Sequence, residues 1–535
     1  MPGRLTTTKG GEGHLSSRLR SVLRALDGWR LGAFAVSALV ITAMAVIFFS
    51  WRHETGEIWD HLADTLLLHL LTNTGKLVLG VLFGTSLLGV SLGWLTAVYD
   101  FPGRRVLRWA LLLPMAMPAY VLAFVFLGIF DFAGPVATTG RELFGSDFRL
   151  PDIRSAAGVS LVLSLVLYPY VFLLARNAFT TQGVRMVEAA RSLGASPTTA
   201  FWRVALPMAR PWIVAGLMLV LMETLADFGA VSIFNYDTFT TAIYKAWFGF
   251  FSLPAAAQLA SILVVLVLVV LVIEQRMRSR MRFAPARGDR PQEPMRLRGW
   301  RCWVASAYCW GVLVVAFFLP LVQLVAWTAE IFAEEYSSRY GELLMHTLTL
   351  GALSALTIGL LALVLSYTVR RHPDLITRAM VRLAVTGYAL PGAVLAVGIY
   401  IPVAAVDGFL ADALRAWFGW ETGLLLQGTI VIMLLAYSIR FMAVGFGAID
   451  SAMHRVTPSI DDAARQMGLR GARLLARIYL PILRGGMLTA ATMVFVDVMK
   501  EMPITLMTRP FGWDTLAVKI FELTSEGEWE RAALP

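Results

Sequence analysis

The chain has 535 residues, of which 57% are apolar and 15% charged, and its formal net charge is +10. Soluble globular proteins have about 45–50% apolar and about 25% charged residues. The apolar residues form uninterrupted stretches of about 20 residues, long enough for helices to cross a hydrocarbon core of about 30 Å. Since continuous rather than alternating apolar stretches indicate helices, the sequence predicts an all-α integral membrane protein and excludes a soluble one.

The positive charge lies in short loops between the apolar stretches, which is typical of a membrane protein and not of a nucleic-acid-binding one. Basic loops fall at 104–108 and 370–382, and the segment 275–301 holds nine Arg against Asp289 and Glu293. The alternating loops are acidic or balanced, so the positive-inside rule predicts a cytoplasmic N-terminus. We expect a multi-pass protein of the bacterial inner membrane, in contact with lipid and with no nucleic acid partner.

Eleven spans are predicted in chain order, in two halves separated by a basic cytoplasmic linker. The expected organisation is a cytoplasmic segment 1–30, a first half 31–274, the linker 275–301 and a second half 302–535. The predicted spans are 32–50, 75–98, 106–130, 156–175, 211–233, 256–274, 302–328, 347–369, 379–405, 425–445 and 486–507.

An internal repeat relates the two halves. Residues 188–207 read EAARSLGASPTTAFWRVALP and residues 462–481 read DAARQMGLRGARLLARIYLP, with every matched pair 274 positions apart. The register extends to Glu223/Asp497 and Asp227/Glu501, and was followed to Thr241/Thr515 and Lys245/Lys519. The sequence therefore predicts two homologous halves, each of six-span type.

The same register places a counterpart of the sixth span near 530–548, whereas the sequence stops at Pro535. We expect that a twelfth span is missing from this sequence, either through truncation or because further residues are not included in it.

The repeated loop resembles the EAA loop of permeases in binding-protein-dependent ABC importers. Its residues here are Glu188, Ala189, Ala190, Gly194, Leu206 and Pro207 in the first half, and Asp462, Ala463, Ala464, Gly468, Leu480 and Pro481 in the second. The resemblance implies two short helices divided near the Gly, docked on a separate ATPase subunit. Gly permits a turn that a Cβ hinders, and Pro207 is expected to end the second short helix. The second copy departs from the pattern because Asp462 replaces Glu. An ordinary amphipathic loop is the alternative.

The chain lacks the residues of a catalyst. No G-x-x-x-x-G-K-[ST] phosphate loop occurs, and the seven His show no metal-binding spacing. We expect no enzyme activity, no catalytic residue, no bound metal and no cofactor in this chain. The resemblance implies that ATP and Mg bind to the partner ATPase, in two copies, and that an extracytoplasmic solute-binding protein delivers the substrate.

Acidic residues recur within two predicted spans. Glu223 and Asp227 are spaced i, i+4 and share a helix face, and Asp497 and Glu501 repeat the arrangement beside Lys500. Charges at membrane depth are costly, about 2.5–3.5 kcal/mol each, and usually line a polar path. A translocation pathway is one hypothesis; the alternative is that these acids hold helix ends or pair with Lys500 or backbone.

The segments around these acids, such as Glu223-Thr-Leu-Ala-Asp-Phe-Gly and Lys500-Glu-Met-Pro, resemble the fused permeases of ferric-iron importers. That resemblance implies ferric iron as the substrate, and carboxylate oxygen is compatible with a hard cation. Fused thiamine permeases are the main alternative for this resemblance, and permeases of polyamine, phosphonate or sulfate importers match it less well. An ion-coupled secondary transporter would show broken helices and no repeated loop. A channel or a membrane anchor would need neither a duplicated coupling loop nor acids repeated at matching depth.

Overall fold

The computed structural model describes residues 27–53, 55–280, 294–469 and 471–535. Most of the segment 1–30 and the central part of the linker 275–301 lie outside the described residues. The described chain is helical nearly throughout, which confirms the predicted all-α membrane fold.

The described residues before the linker form thirteen α-helices. They are α1 Gly28–Phe49, α2 Gly56–His61, α3 Leu67–Val98, α4 Arg104–Ala110, α5 Ala119–Phe130, α6 Pro135–Phe144, α7 Ala156–Ala178, α8 Val184–Ser192, α9 Pro197–Ala200, α10 Leu206–Ala226, α11 Gly229–Ile233, α12 Phe239–Tyr244 and α13 Leu253–Arg280.

The described residues after the linker contain a further thirteen. They are α14 Trp300–Leu313, α15 Leu319–Glu335, α16 Ser338–Arg371, α17 Leu375–Thr386, α18 Gly392–Phe418, α19 Val431–Arg440, α20 Met442–Met453, α21 Pro458–Gln466, α22 Gly471–Leu474, α23 Leu480–Met499, α24 Pro503–Thr508, α25 Leu516–Ser525 and α26 Trp529–Ala532.

Two short strands form a parallel pair. The strand β1, Tyr99–Asp100, follows α3, and β2, Met295–Arg296, ends the linker, with Tyr99 paired to Met295 and Asp100 to Arg296. The pairing fixes the start of the second half against the first turn after α3.

Ten helices within the described residues are long and apolar enough to cross a membrane, and the pair α19 and α20, bent by 55°, brings the number to eleven. Eleven spans agree with the sequence prediction. The bounds differ where the chain breaks. The predicted spans 106–130 and 379–405 are each divided, because α4 and α17 are separate helices that end before α5 and α18. Pro118 and Pro391 precede the second helices, and a residue before proline is pushed out of the helical region.

The chain packs as two compact units that do not follow chain order. Of the described residues, unit A comprises those from 27 to 45, 348–388 and 402–499, and unit B comprises those within 46–347, 389–401 and 500–535. Each unit therefore contains segments from both predicted halves. The first span of each half packs mainly with residues of the other half.

In unit A, α1 packs on the ends of α16 and α17. Trp29 lies edge-to-face on Tyr367 with ring centroids 4.7 Å apart, and the Ser37 hydroxyl donates to the Met380 carbonyl at 3.0 Å. Arg30 pairs with Asp374, whose carboxylate also accepts the Thr377 backbone N–H at the start of α17. This bond from Thr377 holds the pKa of Asp374 below its usual range.

In unit B, α14 and α15 pack on elements of the first half. The Tyr308 hydroxyl lies 2.7 Å from the Ser91 hydroxyl, the Ser306 hydroxyl donates to the Pro102 carbonyl, and Trp327 stacks on Phe124. The exchange of first spans is thus reciprocal.

The helices α3 and α7 approach closely because glycines face α7 at regular intervals. A Cβ on Gly89 would lie 2.6 Å from the Val171 Cβ, and one on Gly93 would lie 3.1 Å from the Arg176 backbone nitrogen. Small residues allow such contact where lipid offers no hydrophobic driving force between helices. The pair forms the centre of the unit B core.

A buried carboxylate in unit A satisfies the backbone of a loop. Asp407 on α18 is fully buried, and its oxygens accept the backbone N–H groups of Leu425, Leu426 and Gln427 at 2.7, 2.9 and 2.9 Å. These three N–H groups belong to a loop and have no helical hydrogen-bond partner, so the carboxylate supplies their acceptor.

We expect Asp407→Ala to lower the melting temperature of the purified protein by several degrees, because it leaves three backbone donors without their acceptor. The matched control is Asp412→Ala, an exposed acid on the same helix. Differential scanning fluorimetry in detergent measures both. Equal melting temperatures for the two variants would show that Asp407 does not hold this loop.

Candidate functional site

The first repeated loop consists of two short helices divided by a glycine turn. The helix α8 ends in a Schellman motif, in which the Ala195 N–H donates to the Ala190 carbonyl and the Gly194 N–H to the Arg191 carbonyl, both at 2.9 Å. Gly194 has φ +85°, a conformation that side chains with a Cβ rarely adopt. After the turn, the Ser196 hydroxyl accepts the Thr199 N–H and caps α9.

The second loop repeats this geometry at the matched residues. Gly468 has φ +78°, and the Leu469 N–H donates to the Ala464 carbonyl at 3.0 Å, as Ala195 does to Ala190. The helices α21 and α22 occupy the positions of α8 and α9 shifted by 274 residues. The two loops therefore share the backbone hydrogen bond that closes the glycine turn, although their sequences share only part of their residues.

Pro207 does not end the second short helix as the sequence suggested. The helical chain continues from Pro197 to Ala226 and, in the second half, from Ala472 to Met499. A π-helical turn at Phe201–Ala205, matched by one at Leu475–Tyr479, precedes Leu206 and Leu480. Pro207 and Pro481 stand at the second position of α10 and α23. Because a π-helical turn precedes each helix, the missing proline N–H costs little stability there.

Each loop presents an exposed apolar residue just before its glycine. Leu193 is 88% exposed and Met467, its match, is 69% exposed. Glu188, Ala189, Asp462 and Ala463 are exposed beside them. The sequence analysis did not single out Leu193 or Met467, yet Leu-Gly and Met-Gly in the repeat were a visible signal. Exposed apolar side chains on a turn are suited to a protein contact.

The two loops are anchored to the membrane body by different chemistry. In the first, Val187 is buried in the same cluster as Trp94 and Phe179, and the Trp94 ring lies 4.8 Å from that of Phe201. In the second, the position of Val187 is taken by Asp461.

Asp461 is buried, and Arg370 donates to it at 2.9 Å. The Tyr479 hydroxyl also donates to this carboxylate and accepts from Arg370 Nε at 3.1 Å. An apolar contact thus fixes one loop and an ion pair fixes the other.

The helix breaks at Asp227 and Glu501 have the same hydrogen-bonding arrangement. The Asp227 carboxylate accepts the Val231 N–H at 3.1 Å and the Glu501 carboxylate accepts the Ile504 N–H at 3.3 Å, so each caps the short helix that follows the break. Both lie in unit B, where Gly229 approaches Tyr120 and Met502. These bonds support the helix-end alternative for the two acids.

Glu223 lies in unit B and Asp497 in unit A. Both side chains are partly buried, and both take part in interactions of their own. Within the residues that the structure describes, no group of three or more His, Cys, Asp or Glu side chains is placed to hold a metal ion.

The loops that follow the short helices α11 and α24 repeat in a different register from the one expected. Thr238 and Thr515 cap α12 and α25, so Asp237-Thr238 matches Asp514-Thr515 and not Thr241 with Thr515. The Asn73 amide donates to the Asp237 carbonyl, and His346 contacts the Asp514 carbonyl, each at 3.1 Å. Three extra residues in the second loop shift the register, which the recurring Asp-Thr pair could have revealed.

The protein-family model described as "Binding-protein-dependent transport system inner membrane component" matches residues 89–283. The Fe(3+)-transport system permease protein FbpB 2 of Haemophilus influenzae is 23% identical over 468 residues, covering 86% of this chain and 85% of the relative. The sulfate permease CysW of Escherichia coli is 30% identical over 37% of this chain and 67% of its own length. The molybdenum permease ModB of Mycobacterium bovis is 30% identical over 37% of this chain and 74% of its own length.

The matched region contains the first loop, and the ferric-iron relative extends across both halves. With two loops of the same backbone geometry and ten or eleven membrane-spanning helices, the chain belongs to the binding-protein-dependent transport system inner membrane components, as a fused ABC-importer permease that resembles the ferric-iron type over most of its length.

Proposed function

We propose that this chain is the translocating permease of an ABC importer, with the two loops coupling it to a separate ATPase. The observation that carries the proposal is the duplicated glycine turn, with the same closing hydrogen bond and an exposed apolar residue in both halves. Two ATPase copies, one on each loop, bind ATP and Mg, while this chain binds no cofactor and is not an enzyme. The N-terminus and both loops lie in the cytoplasm, by the distribution of Arg in alternate loops.

The docking surface in this proposal consists of the turns and the side chains beside them. Leu193 and Met467 enter an apolar recess of the ATPase, while Glu188 and Asp462 place a carboxylate beside it. The small residues Ala189 and Ala463 let the partner approach the helix backbone. Since Val187 anchors one loop and Asp461 the other, the two sites transmit movement through different contacts.

We expect Gly194→Val together with Gly468→Val to abolish substrate uptake and co-purification of the ATPase. Both positions have positive φ, which costs a side chain with a Cβ about 1–2 kcal/mol, while the space around both is open. The matched control, Gly145→Val with Gly419→Val, introduces the same backbone conflict in loops away from the coupling turns.

Uptake by reconstituted importer and the yield of ATPase on the tagged permease measure the result. The docking role fails if the ATPase co-purifies with the Gly194/Gly468 variant at the wild-type ratio.

A substrate path bordered by acids is the second part of the proposal. Asp227 and Glu501 shape the path by capping the short helices at the breaks. Glu223 and Asp497, near the ends of α10 and α23, act on the passing solute through their charge. Paired carboxylates at membrane depth favour a cation over an anion.

We expect Glu223→Gln with Asp497→Asn to slow uptake about tenfold while ATPase co-purification stays unchanged, because both substitutions remove charge and keep size. Glu526→Gln with Asp147→Asn, two exposed acids outside the spans, is the control. Uptake at the wild-type rate in the Glu223/Asp497 variant would make these acids structural.

The substrate that we propose is ferric iron, delivered by an extracytoplasmic binding protein. The support is the relative that covers both halves, whereas the sulfate and molybdenum relatives match about two fifths of this chain. The oxyanion relatives are nevertheless more similar residue for residue, at 30% against 23%. Fused thiamine permeases are a further alternative.

Titration of the binding-protein partner with ferric iron, thiamine, sulfate and molybdate decides among these substrates. We expect ferric iron to bind and iron uptake to require this permease. Binding of an oxyanion or of thiamine without iron would overturn the substrate and leave the permease role intact. Uptake at full rate without any ATPase would overturn the permease role itself.

A further inference from the structure

A cavity of about 650 Å³ lies in unit B between the first coupling loop, the β1–β2 pair and the first turns of α14. Val187, Arg191 and Pro197 form its wall on the loop side. Residues 295–298 and Trp300, Arg301, Val304, Ala305 and Tyr308 of α14 form the opposite side, and Tyr99 of β1 also lines the cavity. The volume is in the range of small-molecule sites.

The lining is strongly basic. Arg191, Arg296, Arg298 and Arg301 all border the cavity. In the described part of the chain, none of the last three forms an ion pair with a carboxylate, and the Arg191 guanidinium contacts the Met295 sulfur at 3.3 Å. Asp100, paired in register with Arg296, is the nearby acid on β1. Four guanidinium groups beside one carboxylate leave a net positive site, and arginine suits bidentate contact with phosphate.

The same cavity borders an apolar surface. Trp300, Trp303 and Val304, in the first turns of α14, are 71%, 67% and 54% exposed. This helix begins the apolar span Trp300–Glu335. Trp at the end of a span is typical of the membrane–water interface. Burial raises the pKa of the Tyr99 hydroxyl, so this group stays a hydrogen-bond donor at neutral pH.

We propose that this cavity binds the phosphate headgroup of an anionic membrane phospholipid, with the acyl chains lying along α14. Basic pockets at the cytoplasmic ends of spans suit such headgroups. The exposed apolar residues beside the arginines favour a lipid over a soluble phosphate compound.

A lipid in this position would connect the first coupling loop to the linker between the halves. Its headgroup contacts Arg191 on α8 and Arg301 on α14, and thereby limits the movement of α8. The second loop has its own charged anchor, the Arg370–Asp461 pair. The first loop, held by apolar contacts, receives its charged anchor from the membrane.

Native mass spectrometry of the purified full-length chain from nanodiscs tests this proposal without any transport assay. The discs contain phosphatidylcholine with one tenth phosphatidylglycerol. We expect the wild type to retain phosphatidylglycerol, and Arg296→Gln/Arg298→Gln/Arg301→Gln to retain about tenfold less. The control, Arg105→Gln/Arg378→Gln/Arg382→Gln, removes three exposed arginines outside the cavity and should behave as wild type.

Equal retention of phosphatidylglycerol by the two triple variants would overturn the site. Equal retention of phosphatidylcholine by the wild type would show that no anionic headgroup is selected and would also overturn it. Displacement of phosphatidylglycerol by millimolar inorganic phosphate would assign the cavity to a soluble phosphate compound instead of a lipid. If the triple variant does not fold, Arg301→Glu alone should still lower retention, and unchanged retention there counts against the proposal.

Discussion

The need to satisfy every backbone N–H and C=O inside a membrane governs this structure. A continuous helix meets that need by itself, but a broken one does not. At three interruptions the chain supplies a carboxylate: Asp227 and Glu501 cap the short helices α11 and α24, and Asp407 accepts three N–H groups of a loop. Acids that are costly in a membrane are therefore retained where the backbone requires acceptors. The same breaks create the short helices around which a path can form.

The two repeated loops are more similar in backbone geometry than in the side chains that anchor them. The two coupling loops keep the glycine turn, the bond closing it and the π-helical turn that follows. The residue beneath the loop is Val187 in one half and Asp461 in the other, and Tyr479, which donates to Asp461, is replaced by Ala205 at the matched position of the first half. In the proposed docking role, a turn that the ATPase recognises would tolerate little change, whereas the contact below it needs only to be well packed or fully paired. The halves can therefore differ in how firmly each loop is held.

The reciprocal exchange of first spans makes each compact unit depend on both halves. Trp29 packs on Tyr367 in unit A, and Tyr308 bonds Ser91 in unit B. Neither half can complete its apolar packing from its own consecutive residues. This arrangement explains why the linker ends in a strand paired with β1, since the chain must be positioned before α14 enters the core of the first half. It also brings the basic linker next to the first coupling loop, where the proposed lipid site lies.

The sequence by itself determined the membrane class, the spans, the duplication and the glycine turns, because long apolar stretches and a residue that permits positive φ act locally. It also located Asp227 and Glu501, but their bonds to Val231 and Ile504 favour a capping role that spacing could not distinguish from a path. Only the tertiary structure decided that Pro207 lies within a continuous helix, that Asp407 holds a distant loop, and that first spans are exchanged. The Asp407 bonds and the exchange of first spans depend on contacts between residues far apart in the chain. The continuous helix at Pro207 depends on the π-helical turn that precedes it. Neither kind of feature produces a periodic pattern in the sequence.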